Sequence, residues 1–223
     1  MFGAIARRYD LLNHLLSANQ DTRWRRLAAE EACRADPSRV LDLCGGTGDL
    51  SLALTRTPHG PSFIVCCDFS HAMLRLAQAK FGRRAVAGRC VNVEGDALRL
   101  PFADASFDAV TVGFGVRNVQ DMPAGFREMR RVLAPGGRLV VLEFSKPSGK
   151  IMSRLYGAYL RTIVPRLGDG ASGRDGPYRY LARTIAGFPE PDLLAGTLRE
   201  AGFGGVGWRA LTGGIVCLHT ALR

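Results

Sequence analysis

VLDLCGGTGD, residues 40–49, is the stretch whose reading decides the fold. The run Arg39 to Leu43 has the near-continuous hydrophobicity of a strand buried on both faces, as strands of parallel sheets are. It leads into the turn Gly45-Gly46-Thr47-Gly48, after which Asp49 to Thr55 has helical character. Strand, glycine turn and helix start in succession form a cradle. Glycine lets the backbone approach a ligand closely, and the N–H groups that lack intrahelical partners point at it. A second apolar run, Phe63 to Cys67, closes on Asp68, twenty positions after Gly48. An acid at that place can accept hydrogen bonds from both hydroxyls of a ribose.

Glycine turns also form bare strand–helix corners, so the nucleotide reading rests on the spacing to Asp68. These residues leave a dinucleotide and S-adenosylmethionine both open. GGTGDLS lacks the third glycine of G-x-G-x-x-G, and no phosphate-binding lysine follows, which excludes a P-loop.

Outward from this unit, strands and helices alternate. Ser70 is placed to cap a helix that carries Met73, Leu74 and Ala77 on one face. Cys90 to Val93 is a third strand, followed by Gly95-Asp96-Ala97, and Phe107 to Val112 is a fourth. A helix with an apolar face at Phe126, Met129 and Leu133 is expected to stop at Pro135-Gly136-Gly137, and Arg138 to Phe144 makes a fifth strand. This alternation predicts an α/β fold, a parallel sheet with helices on both faces. Val206 to Leu211, the turn Thr212-Gly213-Gly214 and Ile215 to Leu222 then read as an antiparallel hairpin. A terminal hairpin suits a methyltransferase sheet better than a dinucleotide-binding one. The chain is expected to be one domain over 1–223, with a helical cap over about 1–35 and a lid insertion over about 146–192.

Bulk properties narrow the function. The 223 residues are 47% apolar, with no run of eighteen apolar residues that would span a membrane. MFGAIARRYD has charges too early for a signal peptide, which predicts a cytoplasmic chain. The six cysteines, at 33, 44, 66, 67, 90 and 217, lack metal-ligand spacing and read as reduced, buried thiols, so no metal is expected. Cys66 and Cys67 are adjacent in a strand and should face opposite sides of the sheet. The net charge of +10 points to an anionic partner, although its arginine-rich make-up equally fits a GC-rich genome. No dense basic run with interleaved aromatics appears, so nucleic acid is not expected as a partner.

Several longer motifs resemble one family. They are FxxIAxRYDLLNHLLS (2–17), VLDLCGGTGDLSLAL (40–54), CDFSHAML (67–74), GDALRLPF (95–102), SFDAVTVGFGVRNV (106–119), EMRRVLAPGGRLVVLEFSKP (128–147) and LTGGIVCLH (211–219). Together they resemble the UbiE/MenG ubiquinone/menaquinone C-methyltransferases, and FGVRN, EFSKP and TGGIV are the most specific of them. The resemblance implies a class I S-adenosylmethionine-dependent methyltransferase fold, Rossmann-like, with seven strands in the order 3-2-1-4-5-7-6. It implies methyl transfer from S-adenosylmethionine to a ring carbon of a polyprenyl quinol. A same-fold enzyme for another acceptor, and a non-catalytic cofactor-binding module, are the competing readings. Carried over by position, the cofactor would be held by Asp42, Gly45, Gly46, Thr47, Gly48, Asp68, Phe69, Asp96, Ala97 and Gly113. The resemblance implies that family members with a serine at this place use it at the cofactor site; this chain has Gly113, so only backbone is available there. The stretch Ser172-Gly173-Arg174, with Pro177 before Tyr178 and Ala182 after Leu181, departs from the family's pattern in a segment expected to shape the substrate site.

Carbon methylation needs an aligned acceptor, a donor or cation for the developing phenolate, and a proton acceptor. Arg117 and Asn118 follow the fourth strand, where sites at the carboxyl ends of parallel strands lie. Arg117 is expected to stabilise the phenolate and Asn118 to orient a water, with a purely structural arginine as the alternative. Tyr9, with Asp10 and Asn13, lies on an N-terminal segment that either caps the pocket, with Tyr9 as a catalytic candidate, or packs as an ordinary amphipathic helix. His14 and His219 read better as solvated and packed residues than as bases. Asp108 lies at the wrong edge of the sheet for catalysis. Residues 150–166 carry an apolar stripe flanked by Lys150, Arg154, Arg161 and Arg166. The stripe suits a packed lid, an entrance for an isoprenoid tail at an anionic membrane surface, or both. The expected place of action is therefore the cytoplasm, peripherally at the inner face of the membrane. The oligomeric state, including a homodimer, is left open by the sequence.

Overall fold

Arg39–Leu43 is strand β1, and the rest of the sheet grows from it. The strands are β2 (Phe63–Asp68), β3 (Cys90–Glu94), β4 (Phe107–Gly113), β5 (Leu133–Phe144), β6 (Gly204–Leu211) and β7 (Val216–Leu222). The helices are α1 (Gln20–Ala32), α2 (Asp49–Leu54), α3 (His71–Arg83), α4 (Met122–Val132), α5 (Pro177–Gly187) and α6 (Pro191–Glu200). This computed structural model describes residues 14, 17–147, 149, 154, 156–159, 162 and 177–223. Tyr9, Asp10, Asn13, most of the 150–166 stripe and Ser172-Gly173-Arg174 lie outside the described residues.

The strands form one seven-stranded sheet in the order β3-β2-β1-β4-β5-β7-β6. β1 to β5 pair in parallel; β7 pairs antiparallel with β5 and β6. This is the order the family resemblance implies. Both faces of the sheet are covered. Val40, Ile64 and Cys66 pack with Trp24 and Ala28 of α1, Leu50 and Leu54 of α2, and Phe81 of α3. Leu41, Val65 and Cys67 pack on the other side with Phe126 and Met129 of α4 and Leu194 and Leu198 of α6. Cys66 and Cys67 thus face opposite layers, as strand alternation requires.

Three local expectations need correction. Leu133 is not helical: α4 ends at Val132, and Leu133 takes extended dihedrals (φ −71°, ψ 142°) and pairs with Phe107. Leu133 stays in the same buried layer as Phe126 and Met129, so its hydrophobicity continues the helical period while its backbone has already left the helix. Pro135-Gly136-Gly137 is accordingly a bulge inside β5, where the register jumps between the Phe107 and Ala109 pairings. Its polar groups are met by the chain's end: Gly136 N–H donates to Arg223 O, and Arg223 N–H donates to Gly137 O. Ser70 occupies the N-cap of α3, but its hydroxyl makes no capping bond. The side-chain cap appears instead on α4, where Asp121 accepts from Ala124 N–H at 2.9 Å. At the hairpin, Ile215 belongs to the turn and β7 begins at Val216.

Asp108 accepts from the N–H groups of Ser38 and Arg39, at 2.9 and 2.8 Å. It fastens the start of β1 at the sheet edge remote from the strand ends that carry the site. Among the described residues, no helix is long and apolar enough to cross a membrane.

Candidate active site

A cleft of about 320 Å³ opens at the carboxyl ends of β1, β2, β3 and β4, where sites of open α/β sheets lie. One wall comes from the β1–α2 turn. Gly48 begins α2 with φ 82°, and a Cβ there would come within 2.6 Å of the Phe81 ring. Only glycine lets the turn fold this tightly onto α3. Behind the turn, Lys80 donates to Thr47 Oγ1 at 3.2 Å and pairs with Asp49, which fixes the loop to α3.

Asp68 ends β2 and faces the cleft. Its Oδ2 accepts from Gly46 N–H at 2.9 Å, and its Oδ1 accepts from Ser70 N–H at 2.8 Å. Burial pushes its carboxyl above the ordinary carboxylate value, while these two bonds oppose that shift. A carboxylate oxygen can accept more than one bond, so both retain capacity for ribose hydroxyls. Asp96, after β3, uses one oxygen on Leu98 N–H at 2.9 Å and also lines the cleft with Ala97. Phe69, 79% exposed, Met73 and Leu98 supply apolar surface between the two acids. Two separated acceptors bracketing an apolar wall, with open backbone at Gly46, fit a nucleoside with its ribose on Asp68 and its amine on Asp96. These residues would hold S-adenosylmethionine, the cofactor that the resemblance implies.

Of the residues expected at the cofactor, Gly46, Asp68, Phe69, Asp96, Ala97 and Gly113 line the cleft. Gly45, Thr47 and Gly48 shape it from behind. Asp42 does not reach it. That side chain is fully buried, with Oδ2 accepting from Ser51 Oγ at 2.6 Å and Oδ1 from Thr111 Oγ1 at 3.1 Å. Strand alternation explains the difference: Asp42 points into the α2 layer, and only the strand's last residues reach the rim. Burial pushes its carboxyl up to about 6, against the opposing pull of these hydroxyls, the Ser51 N–H and the Arg25 charge.

Another wall of the cleft is built by the segment after β4. Phe114 turns the chain with φ 59°, and Val116–Asn118 forms a short 3-10 turn. A Cβ on Gly115 would lie 2.3 Å from Cys44 Cβ, so this turn and the β1–α2 turn meet in close contact. Asn118, Val119 and Gln120 face the cleft; Arg117 does not. Expected to offer its charge to the reactant, Arg117 instead folds back into the protein. Its guanidinium donates to Glu143 Oε1 at 2.7 Å and to Phe114 O, with side-chain exposures of 5% for Arg117 and 1% for Glu143. It also lies 5.4 Å from the Phe144 ring centroid. A buried guanidinium requires a counter-charge, and Glu143 provides it.

Glu143 was not singled out by sequence reasoning. The signal was present: an acid inside the apolar run LVVLEF, 139–144, must find a partner or be neutralised. Around this pair the family-specific motifs converge. Phe114 of FGVRN lies 4.7 Å from Phe144 of EFSKP and 6.1 Å from Trp24, ring to ring. Trp24 Nε1–H donates to Thr212 Oγ1 of TGGIV at 2.8 Å. Asn118 Oδ1 accepts from Tyr180 Oη of α5 at 3.0 Å. His219 pairs in register with Val141, two positions before Glu143, and is buried beside Pro191 and Asp192; burial lowers its affinity for a proton. His14 pairs with Asp21 at 2.8 Å.

Comparison with known proteins agrees with this geometry. The model of the ubiE/COQ5 methyltransferase family matches residues 1–223. A demethylmenaquinone methyltransferase of Deinococcus radiodurans is 49% identical, over 96% of this chain and 88% of that protein. A ubiquinone/menaquinone biosynthesis C-methyltransferase UbiE of Pectobacterium carotovorum is 40% identical, over 100% of this chain and 89% of that protein. In structure, a SAM-dependent methyltransferase of Thermotoga maritima matches with a TM-score of 0.62 at 17% identity, covering all of both chains. That likeness speaks to the fold alone.

Proposed function

The chain belongs to the ubiE/COQ5 methyltransferase family, and from that premise we infer that it is an S-adenosylmethionine-dependent C-methyltransferase acting on a polyprenylated quinol. The reaction is the conversion of demethylmenaquinol to menaquinol, the equivalent ubiquinol precursor, or both. The observation that supports this reading is the meeting of FGVRN, EFSKP and TGGIV behind the cleft wall that FGVRN lines. The acids Asp68 and Asp96 line the same cleft. A bare methyltransferase core needs only the second group.

S-adenosylmethionine supplies an electrophilic methyl group when bound. The chain's own residues bind and align. Asp68 and Asp96 fix the nucleoside, and the Gly46 backbone allows close approach. Asn118 reaches the cleft as a polar side chain on the acceptor side. The Arg117–Glu143 pair holds the 114–118 turn in shape, so that this wall is preorganised. A quinol becomes nucleophilic at carbon as a ring hydroxyl loses its proton, and donors at this wall favour that charge.

The finer readings concern where the acceptor is met. The segment at about 1–35 is proposed as a helical cap, and that at about 146–192 as a lid insertion, over the acceptor side. With a net charge of +10, the chain is proposed to act in the cytoplasm, docking peripherally on anionic lipid at the inner face of the membrane. The stripe at 150–166 would contact the isoprenoid tail. Binding to anionic vesicles should fall as salt rises. Arg154→Glu with Arg161→Glu should weaken that binding and spare turnover of a short-tailed acceptor.

Quinone profiling of a strain lacking the gene tests the function itself. Accumulated demethylmenaquinone, or its benzoquinone counterpart, removed by complementation, is the expected result. An unchanged quinone pool would overturn the assignment.

A further inference from the structure

Asn118 is a side chain with two faces. A carboxamide offers one acceptor oxygen and two N–H donors, and its terminal torsion alone does not choose which edge meets a ligand. Here the choice is made from outside the turn. Tyr180 Oη donates to Asn118 Oδ1 at 3.0 Å, and the Asn118 backbone N–H is already spent on Gly115 O at 3.0 Å. That bond turns the carboxamide oxygen to Tyr180 and leaves the two N–H donors of Nδ2 on the other edge of a residue that lines the cleft. The neighbouring cation cannot serve in its place, because Arg117 is turned onto Glu143 and Phe114 O. The same cleft carries the acceptors Asp68 and Asp96.

We propose that Tyr180 is a positioning residue for methyl transfer: its hydroxyl holds the Asn118 carboxamide so that Nδ2–H faces the reacting ring as the donor for its oxygen. The proposal rests on the quinol reading above. As the hydroxyl proton leaves, negative charge grows on that oxygen, so a donor aimed there is worth more in the transition state than in the ground state. The α5 helix thereby contributes to chemistry through Asn118 rather than by touching the reactant.

The test uses the full chain, with a short-tailed demethylmenaquinol as acceptor and S-adenosylhomocysteine as cofactor probe. Tyr180→Phe should lower kcat about tenfold, the rate equivalent of one lost hydrogen bond, with KM and S-adenosylhomocysteine affinity changed less than about twofold. Asn118→Asp separates positioning from mere clasping. It keeps an acceptor for Tyr180 but replaces the N–H donors, and its kcat should fall at least as far as that of Asn118→Ala. Adding Tyr180→Phe to Asn118→Ala should cost almost nothing more. Wild-type turnover in Asn118→Asp, or a Tyr180→Phe effect that is undiminished in the Asn118→Ala background, would make Tyr180 a structural clasp and overturn the proposal. If the wild-type chain methylates no quinol at all, the function itself falls, and this inference with it.

Discussion

Asp42 and Glu143 are both buried carboxylates on strands beside the cleft, and they are neutralised in opposite ways. Asp42 is surrounded by the hydroxyls of Ser51 and Thr111, and burial pushes it up to about 6. Glu143 meets the Arg117 guanidinium at 2.7 Å and the Phe144 N–H at 2.9 Å. The wall behind the glycine turn is thus tied together by a carboxyl that burial pushes up, the 114–118 turn by an ion pair. The first arrangement tolerates loss of charge. The second leaves an uncompensated guanidinium if its acid is removed, and with it the shape of the 114–118 turn.

The sharpest way to break the contrast is Glu143→Ala. A buried cation left without its partner costs about 3–5 kcal/mol, so urea unfolding should shift by that much and methylation should be lost. Combining Arg117→Met with Glu143→Leu should recover most of the stability and none of the activity. An unfolding midpoint for Glu143→Ala equal to that of the wild type would show that the pair does not hold the turn.

Asp42 gives the complementary experiment. Its folded pKa is raised above the unfolded value, so its contribution to stability is full below about pH 4 and is lost as pH rises through about 6. Asp42→Asn cannot titrate. The stability of Asp42→Asn relative to wild type should therefore rise by about 2–3 kcal/mol between pH 4 and pH 7. Asp68, also raised by burial, is present in both proteins and cancels in the difference. Parallel stability curves would mean that Asp42 is charged in the fold like an exposed acid.

Asp68 asks whether the cofactor end does what its geometry allows. Asp68→Ala should weaken S-adenosylhomocysteine binding by more than about tenfold, since hydrogen bonds to a charged group are worth about 1.5–3 kcal/mol. Calorimetry that returns the wild-type affinity would remove Asp68 from the site. The smallest effect belongs to the contact between the N-terminal layer and the hairpin. Trp24→Phe deletes the bond to Thr212 and should cost about 1 kcal/mol. A larger loss in turnover than in stability would show that this contact also shapes the acceptor end.

The cofactor end was legible because its parts are close in sequence. β1, the glycine turn, α2, β2 and Asp68 form one continuous unit, and the turn chemistry of Gly48 is local. The acceptor end was legible only as motifs. Nothing in FGVRN says that its arginine turns inward, because the acid that draws it in stands 26 positions later. Asp42 was misplaced for a related reason. It sits beside the loop in sequence, but strand alternation buries it under the helix that follows the loop, away from the cleft. Leu133 shows the same limit at an element boundary, where burial continues after the helix has ended.

By itself the sequence determined the alternation of strands and helices, the nucleotide-type cradle and the family, since periodicity, turn residues and short motifs are properties of neighbouring positions. The tertiary structure decided which charges are available. It paired Arg117 with Glu143, buried Asp42 against the hydroxyls of Ser51 and Thr111, and set Tyr180 against Asn118. Each of these follows from packing that brings distant strands and helices within hydrogen-bond reach and removes them from water, where the cost of an unpaired group fixes its partner.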